Sequence, residues 1–287
     1  MCLLLIAYRQ HPQYPLLLLA NRDEFYHRPT APAHPWEQGG IVAGRDLEAG
    51  GTWLGVAPGG RVAAVTNIRE PGMPEPPDVL SRGEIPTGFL AGNRYPSAYA
   101  NALPGQRYRG FNALLFDPLA EQPLVCAGNR HRPFAITTGF HGISNGAPDD
   151  PWPKVTRGCE SLATLVAGLP NPVNAQSFVT LSLALLADSE RAPQSQLPDT
   201  GVGTAMESAL SSIFVRVEAD DLNTHHRPVI SGGYGTRAST LVTVDNQGAV
   251  QLWEQSYTDG RVSGAPRYFH LPPSSPSPFT STTSLPS

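Results

Sequence analysis

A thiol at position 2 and a knot of charge at positions 21–24 are the residues of this 287-residue chain best suited to chemistry. Cys2 heads an apolar run over residues 3–7. The chain turns through His11, Pro12 and Pro15, returns as a second apolar run over 16–20, and ends in Asn21, Arg22, Asp23 and Glu24. If Met1 is removed, as a small second residue permits, Cys2 carries a thiol and a free α-amine on one carbon. The amine, with an ordinary pKa of about 8, is a base at neutral pH, and the thiol, at about 8.5, needs only modest help to ionise. A guanidinium such as that of Arg22 gives that help, and Asp23 can hold and tune the amine. A nucleophile that carries its own base needs no histidine. The chemistry is attack by sulfur on an amide or acyl carbon, with oxyanion donors supplied by amides or by an asparagine at a strand end. A lone cysteine in an apolar strand is more often a small core residue. Its adjacency to residues 21–24 is what points to a site.

That adjacency requires a hairpin, in which directly opposite residues share a face. A turn centred between Pro12 and Gln13 pairs Cys2 with Asp23 and Leu3 with Arg22, and a slip of one residue would send each side chain to the other face. Both runs are apolar on both faces, as strands covered on two sides are, so the hairpin belongs in a central sheet. Further strands are expected at 41–46, 50–56, 61–68, 111–116, 124–127, 134–138, 142–144, 213–217, 239–244, 249–255 and 267–271. Ser81 and Glu84 are spaced as a capping box opening a helix to Leu90. Other helices are expected at 96–103, from Val155 with Leu162, Leu165, Val166 and Leu169 on one face, at 178–187 as a buried helix, and at 205–212. Strands, then helices, then strands fit an α+β fold of two antiparallel sheets with helices outside.

The remaining composition narrows the partners. Apolar residues make up 40% and charged residues 15%, with a net charge of −4, which gives no electrostatic reason to expect nucleic acid or an anionic membrane. The longest strongly apolar run, 178–187, is half a membrane span, so no membrane insertion is expected. The three cysteines, Cys2, Cys126 and Cys159, are odd in number and form no CxxC pattern. Reduced thiols follow, without a zinc cluster or covalent haem, and Cys126 and Cys159 read as packing. With no positively charged leader ahead of residues 3–7, the expected location is cytoplasmic. One domain over 1–271 is expected, followed by a disordered Pro/Ser/Thr-rich tail at 272–287.

Several motifs run in order along the chain: Met1-Cys2, Asn21-Arg22-Asp23-Glu24-Phe25, Arg28-Pro29-Thr30, Gly44-Arg45-Asp46, Gly50-Gly51-Thr52-Trp53-Leu54-Gly55 and Thr66-Asn67. They continue with Ser81-Arg82-Gly83, Gly110-Phe111-Asn112, Ser144-Asn145, Pro151-Trp152-Pro153-Lys154 and Gly235-Thr236-Arg237. Together they resemble the NRDE family, also called the transport and Golgi organisation protein 2 family. The resemblance implies the four-layer αββα sandwich of N-terminal-nucleophile (Ntn) hydrolases, close to the penicillin V acylase and bile-salt hydrolase group. It places the roles of that group on Cys2 as nucleophile, Arg22 and Asp23 beside it, Asn67 and Asn145 as oxyanion donors, and Arg237 as a distal cation for charge or a substrate carboxylate. Two functions are then open. One is an N-terminal-cysteine amidohydrolase acting on a linear amide or acyl bond of a small molecule, with no cofactor required. The other is a non-catalytic protein that traffics haem or binds an acyl-CoA or lipid in the same pocket.

Other residues read more simply. Trp53 is expected in the core, and Trp152, between prolines, to pin a loop over a sheet. Ser231-Gly232-Gly233-Tyr234-Gly235 lacks the lysine and spacing of a phosphate cradle and reads as a turn. His225 and His226 read as solvent-facing, and no Cys-Pro haem site is present.

Overall fold

The computed structural model describes residues 2–37, 39–217 and 233–273. The expectations for His225, His226, Ser231 and Gly232, and for all but two residues of the tail, lie outside the described residues.

The elements run as β1 (Cys2–Tyr8), β2 (Leu16–Phe25), β3 (Thr30–Pro35), β4 (Val42–Asp46), β5 (Leu54–Ala57), β6 (Arg61–Asn67), α1 (Glu84–Ala91) and α2 (Pro96–Asn101). Next come β7 (Phe111–Phe116), β8 (Leu124–Gly128), β9 (Phe134–Ala135), β10 (Gly139–Ile143), α3 (Pro153–Ala167), α4 (Ala175–Leu186) and α5 (Thr204–Ala209). The order closes with β11 (Arg216–Val217), β12 (Tyr234–Val244), β13 (Val250–Thr258) and β14 (Arg261–Leu271). One antiparallel sheet has the order β10-β1-β2-β12-β13-β14, with β11 beside β12; the other runs β3-β4-β5-β6-β7-β8-β9.

Four layers result. Leu4, Ile6 and Leu18 of the first sheet meet Val56, Leu114 and Phe116 of the second in a shared core. The opposite face of the first sheet, with Leu3, Leu5, Leu17 and Leu19, is covered by α3 and α4. The outer face of the second is covered by α1 and α2 through Phe89 and Ala100. The β1–β2 hairpin therefore sits in the middle of the sandwich, which explains its apolar residues on both faces. Its leucines are at most 2% exposed, and each contributes about 2–3 kcal/mol by leaving water.

The hairpin register differs by one residue from the expected one. Arg9 adopts a left-handed φ of 55°, and its N–H bonds to Pro15 O at 2.9 Å. The turn thereby becomes odd in length and is centred on Pro12. Cys2 pairs with Arg22 and Leu3 with Asn21, so Cys2 shares the inter-sheet face with Arg22, while Asp23 is on the face that meets the helices.

Three other expectations are corrected. The helix after Ser81 begins at Glu84, with Gly83 at its cap and no side-chain cap bond. Ser81 Oγ instead accepts the Gly83 N–H at 3.3 Å, which closes a local turn rather than a capping box. The apolar run from 178 forms a surface helix that buries Phe178, Ser182 and Leu186, leaving Leu181 52% exposed. The strands expected at 134–138 and 142–144 part company, because β9 ends the second sheet while β10 crosses to pair with β1. That crossing carries the chain into Asn145 beside the start of β1. The proline-rich stretch after Arg28 supplies the edge strand β3, where prolines cost no sheet bonds.

Candidate functional site

Cys2, at the head of β1, lines a cavity of about 650 Å³ whose wall includes Arg22, Asp23, Trp53, Asn67, Arg82 and Arg109. The cavity opens where the two sheets part at their strand ends, with Cys2 and Arg22 contributed by one sheet and Asn67, the last residue of β6, by the other.

Each motif residue has a distinct task set by strand alternation. Asn21 faces the helices and is wholly structural: its Nδ2 donates to Leu186 O and Ile213 O, both at 2.9 Å, and its Oδ1 accepts from Ser239 Oγ at 2.6 Å. Arg22 faces the cavity, 4% exposed. Its Nη1 donates to Thr30 Oγ1 at 3.1 Å and its Nη2 to Asp46 Oδ2 at 3.2 Å, and its guanidinium lies 4.3 Å from the centre of the Trp53 ring. Asp46 is the hub of this wall. It also accepts from Arg28 Nε at 2.7 Å and from the N–H groups of Glu48 and Ala49. Burial pushes its carboxyl up, but these donors and the neighbouring charges of Arg28 and Arg22 leave it below the usual carboxylate range.

Asp23, 1% exposed, accepts a hydrogen bond from Thr236 Oγ1 at 2.8 Å. Burial raises its pKa, opposed by the charge of Lys154 and by the Thr236 bond. Lys154, in the first turn of α3, is 2% exposed. Burial drives its ammonium down to about 8, against the pull of Asp23. The Cys2 thiol is raised, first by burial and then by Asp23, with Arg22 working the other way.

The two asparagines are brought together, but in unequal positions. Asn145, 1% exposed, donates its Nδ2 to Asn67 O at 2.8 Å, and its own carbonyl accepts the Arg69 N–H at 2.8 Å. Asn67 thus borders the cavity, while Asn145 clamps it from behind and borders a separate pocket near Trp152. Arg237 is the extra residue of a bulge between Thr236 and Ala238. Its Nη1 donates to the carbonyls of Phe25, Tyr26 and Arg28 at 2.9–3.1 Å, and it lines a different cavity, beside Glu254 and Arg267. The structure therefore gathers Cys2, Arg22, Asp23 and Asn67 at one cavity, with Asn145 behind them and Arg237 apart.

Trp53 belongs to the inter-sheet core, as expected, and also walls the cavity. Its ring fits because Gly44 has no side chain: a Cβ there would stand 2.2 Å from it. Trp152 packs at the start of α3, with Arg69 5.4 Å from its ring centre. Three residues without a role in the sequence reading, Asp46, Arg82 and Lys154, emerge at the site. Each is a charged residue inside a quoted motif, and Lys154 stands on the same helix stripe as the buried Val155, Gly158 and Leu162. A charge on an apolar stripe was the available signal. Among the described residues no group of three or more His, Cys, Asp or Glu side chains is placed to hold a metal, and no helix is long and apolar enough to cross a membrane.

Comparison with known proteins agrees with the motifs. The Transport and Golgi organisation 2 family profile matches residues 1–259. The chain is similar to the mouse Transport and Golgi organization 2 homolog, with 32% identity over 276 residues that cover 90% of this chain and 94% of the other. The human Transport and Golgi organization protein 2 homolog is also 32% identical, over 92% of this chain and 95% of its own. The Drosophila melanogaster protein is 25% identical, over 90% and 93%. Among solved structures, the C2A mutant of the conjugated bile acid hydrolase from Clostridium perfringens aligns over 94% of this chain and 92% of that one, with a TM-score of 0.45 and 7% identity. The motifs, the profile and the relatives agree: the chain belongs to the Transport and Golgi organisation 2 family.

Proposed function

We propose that this protein is an N-terminal-cysteine amidohydrolase that cleaves a linear amide or acyl bond in a small molecule. The observation that carries the reading is the placement of Cys2, which opens a strand at the wall of a cavity shared with Arg22, Asp23 and Asn67. After loss of Met1, the α-amine of Cys2 accepts the thiol proton and sulfur attacks the carbonyl carbon. Asn67 donates to the resulting oxyanion, with Asn145 holding its backbone in place. Collapse expels the amine, which leaves with the proton from the α-ammonium, and water then hydrolyses the thioester by the same base. Asp23 is the carboxylate that steadies the ammonium form.

Intact mass of the native protein, followed by turnover of a panel of linear amides, tests the reading. Met1 is expected to be absent, and Cys2→Ala to reduce turnover about a thousandfold or more. Met1 retained on an active preparation, or turnover that survives Cys2→Ala, overturns it.

A second reading, a carrier of haem or an acyl-CoA in the same cavity without turnover, draws on the raised thiol. Burial keeps Cys2 protonated and weakly nucleophilic while its nitrogen remains in a peptide bond. Ligand titration of wild type and Cys2→Ala separates the two. Binding that survives the substitution in a protein with no amidase activity favours the carrier.

A further inference from the structure

Among the described residues, one guanidinium in the wall of the cavity beside Cys2 makes no ion pair with a carboxylate. Arg22 pairs with Asp46, Arg28 with Asp46 and Glu48, and Arg109 with Glu75. Arg82 is half-buried in the same wall and donates from Nη1 to Gly110 O at 3.1 Å. Among the described residues it makes no ion pair. Arg109 stands near enough to add a like charge: burial, then Arg109, lower Arg82 to about 10, which leaves the Arg82 guanidinium charged at neutral pH. A partly desolvated cation beside a second guanidinium is costly unless an anion joins it. The Arg109–Glu75 pair is exposed at both ends, 42% and 62%, so it is weak and readily exchanged.

The loop that carries Arg82 is fixed by its backbone. Gly83 O accepts the Thr52 N–H at 3.1 Å, and a Cβ on Gly51 would lie 2.4 Å from the Gly83 carbonyl carbon. The two glycines let the loops touch, so Arg82 is held at the cavity before any ligand arrives, as an anion-binding group should be. Arg237, which the family resemblance offers as a distal cation for charge or a substrate carboxylate, is bound to three carbonyls in the wall of another cavity.

We propose that Arg82, backed by Arg109, binds a carboxylate or phosphate group of the ligand whose reacting carbon faces Cys2. The assignment of that carbon rests on the amidohydrolase reading; the anion site does not.

The test uses Cys2 as its own reporter. Iodoacetate and iodoacetamide are alike in size and alkylate a thiolate by the same displacement, in which sulfur bonds to the methylene and iodide leaves, but only the first is an anion. Rates are read from the mass of the Cys2 peptide, apart from those of Cys126 and Cys159. The ratio of iodoacetate to iodoacetamide rates is expected to fall about tenfold in Arg82→Gln and to be largely kept in Arg82→Lys. An equal ratio in wild type and Arg82→Gln overturns the proposal. If neither reagent labels Cys2, calorimetry with N-acetylglycine, N-acetylglycinamide and inorganic phosphate decides. The acid or phosphate, but not the amide, is expected to bind wild type and to lose about tenfold in Arg82→Gln. The tighter of the two anions identifies the group. Absent binding, or an amide that binds as well as its acid, overturns the proposal. Neither readout needs turnover, so a failure of the hydrolase reading leaves this result legible, and the reverse holds as well.

Discussion

Lys154 carries the most readily measured consequence at the residue scale. Its ammonium is 2% exposed and falls from an ordinary 10.5 to about 8 on folding. A depressed folded pKa gives stability that is present above 10.5 and lost as the pH falls through 8. Wild type should therefore gain on Lys154→Met as the pH rises from 8 to 10.5, by on the order of 3 kcal/mol, read from urea midpoints at each pH. A difference that stays flat across this window would show that the fold leaves Lys154 at its ordinary pKa, charged as in the unfolded chain. Arg22 gives a second test. Arg22→Lys keeps the charge but loses the fork that joins Thr30 and Asp46 and the flat stack on Trp53. We expect a loss of about 2 kcal/mol in the same assay and slower labelling of Cys2 by iodoacetamide, since less positive charge is held against the thiol. Residue identity was legible for Cys2 and Arg22 because a thiol at the chain start and a charged tetrapeptide stand out in apolar strands. Lys154 and Arg82 were missed: only its place on the buried stripe of α3 marked the lysine, and an arginine in a loop looks like an ordinary surface residue until burial and pairing are known.

At the scale of elements, a single left-handed residue decided the geometry of the site. Strand pattern alone located both arms of the hairpin, but the φ of Arg9 set the loop length and hence which of Arg22 and Asp23 shares a face with Cys2. Turn conformation of that kind leaves little trace in composition, since arginine carries no preference for positive φ. The contact between the Gly51 and Gly83 loops is a second device of this scale. Gly51→Ala forces its Cβ against backbone, so it should cost about 2–3 kcal/mol and reduce the iodoacetate preference of Cys2 by displacing Arg82. A destabilisation without any change in that preference would separate the loop contact from the anion site. The pair His141 Nδ1–Asp149 Oδ2, at 2.8 Å, fastens β10 to the loop that leads into α3. The hydrogen bond to Asp149 raises His141, while the bonds from His141 and the Gly142 N–H outweigh burial and lower Asp149. Stability from His141 is complete below its ordinary 6.5 and lost as the pH rises through its folded value, whereas that from Asp149 is lost only as the pH falls below the ordinary 3.8. Because Asp149 is half-exposed, solvent screening holds the effect below about 1 kcal/mol. Asp149→Asn should erase the decline in stability between about pH 6 and 8, as followed by thermal midpoints.

For the molecule as a whole, the layering was legible because its physical cause is written in the pattern: runs apolar on both faces demand cover on both faces. Which strand joins which sheet was not, because β9 and β10 are short and are assigned by the chain's path rather than by their composition. That path matters for the cavity. By crossing to pair with β1, β10 delivers Asn145 to the end of β6, and Asn145 then bonds to Asn67, the last residue of that strand, and to Arg69 just beyond it. Arg69 continues the clamp into α5, where its Nη1 meets Glu207 Oε2 at 2.7 Å, with the two side chains only 7% and 3% exposed. Glu207 also accepts the Thr200 N–H at 2.7 Å. The open end of the sandwich, where the sheets would otherwise separate around the cavity, is thus closed by a buried ion pair. Removing one member leaves the other charge in low dielectric, so Glu207→Ala should cost about 3–5 kcal/mol. Glu207→Gln, which keeps an acceptor for Thr200, should cost less. Labelling of Cys2 by iodoacetamide should speed up in Glu207→Ala at urea concentrations well below its midpoint, because the sheet ends part before the core unfolds. If labelling accelerates only at the global transition, the clamp stabilises the molecule without guarding the cavity.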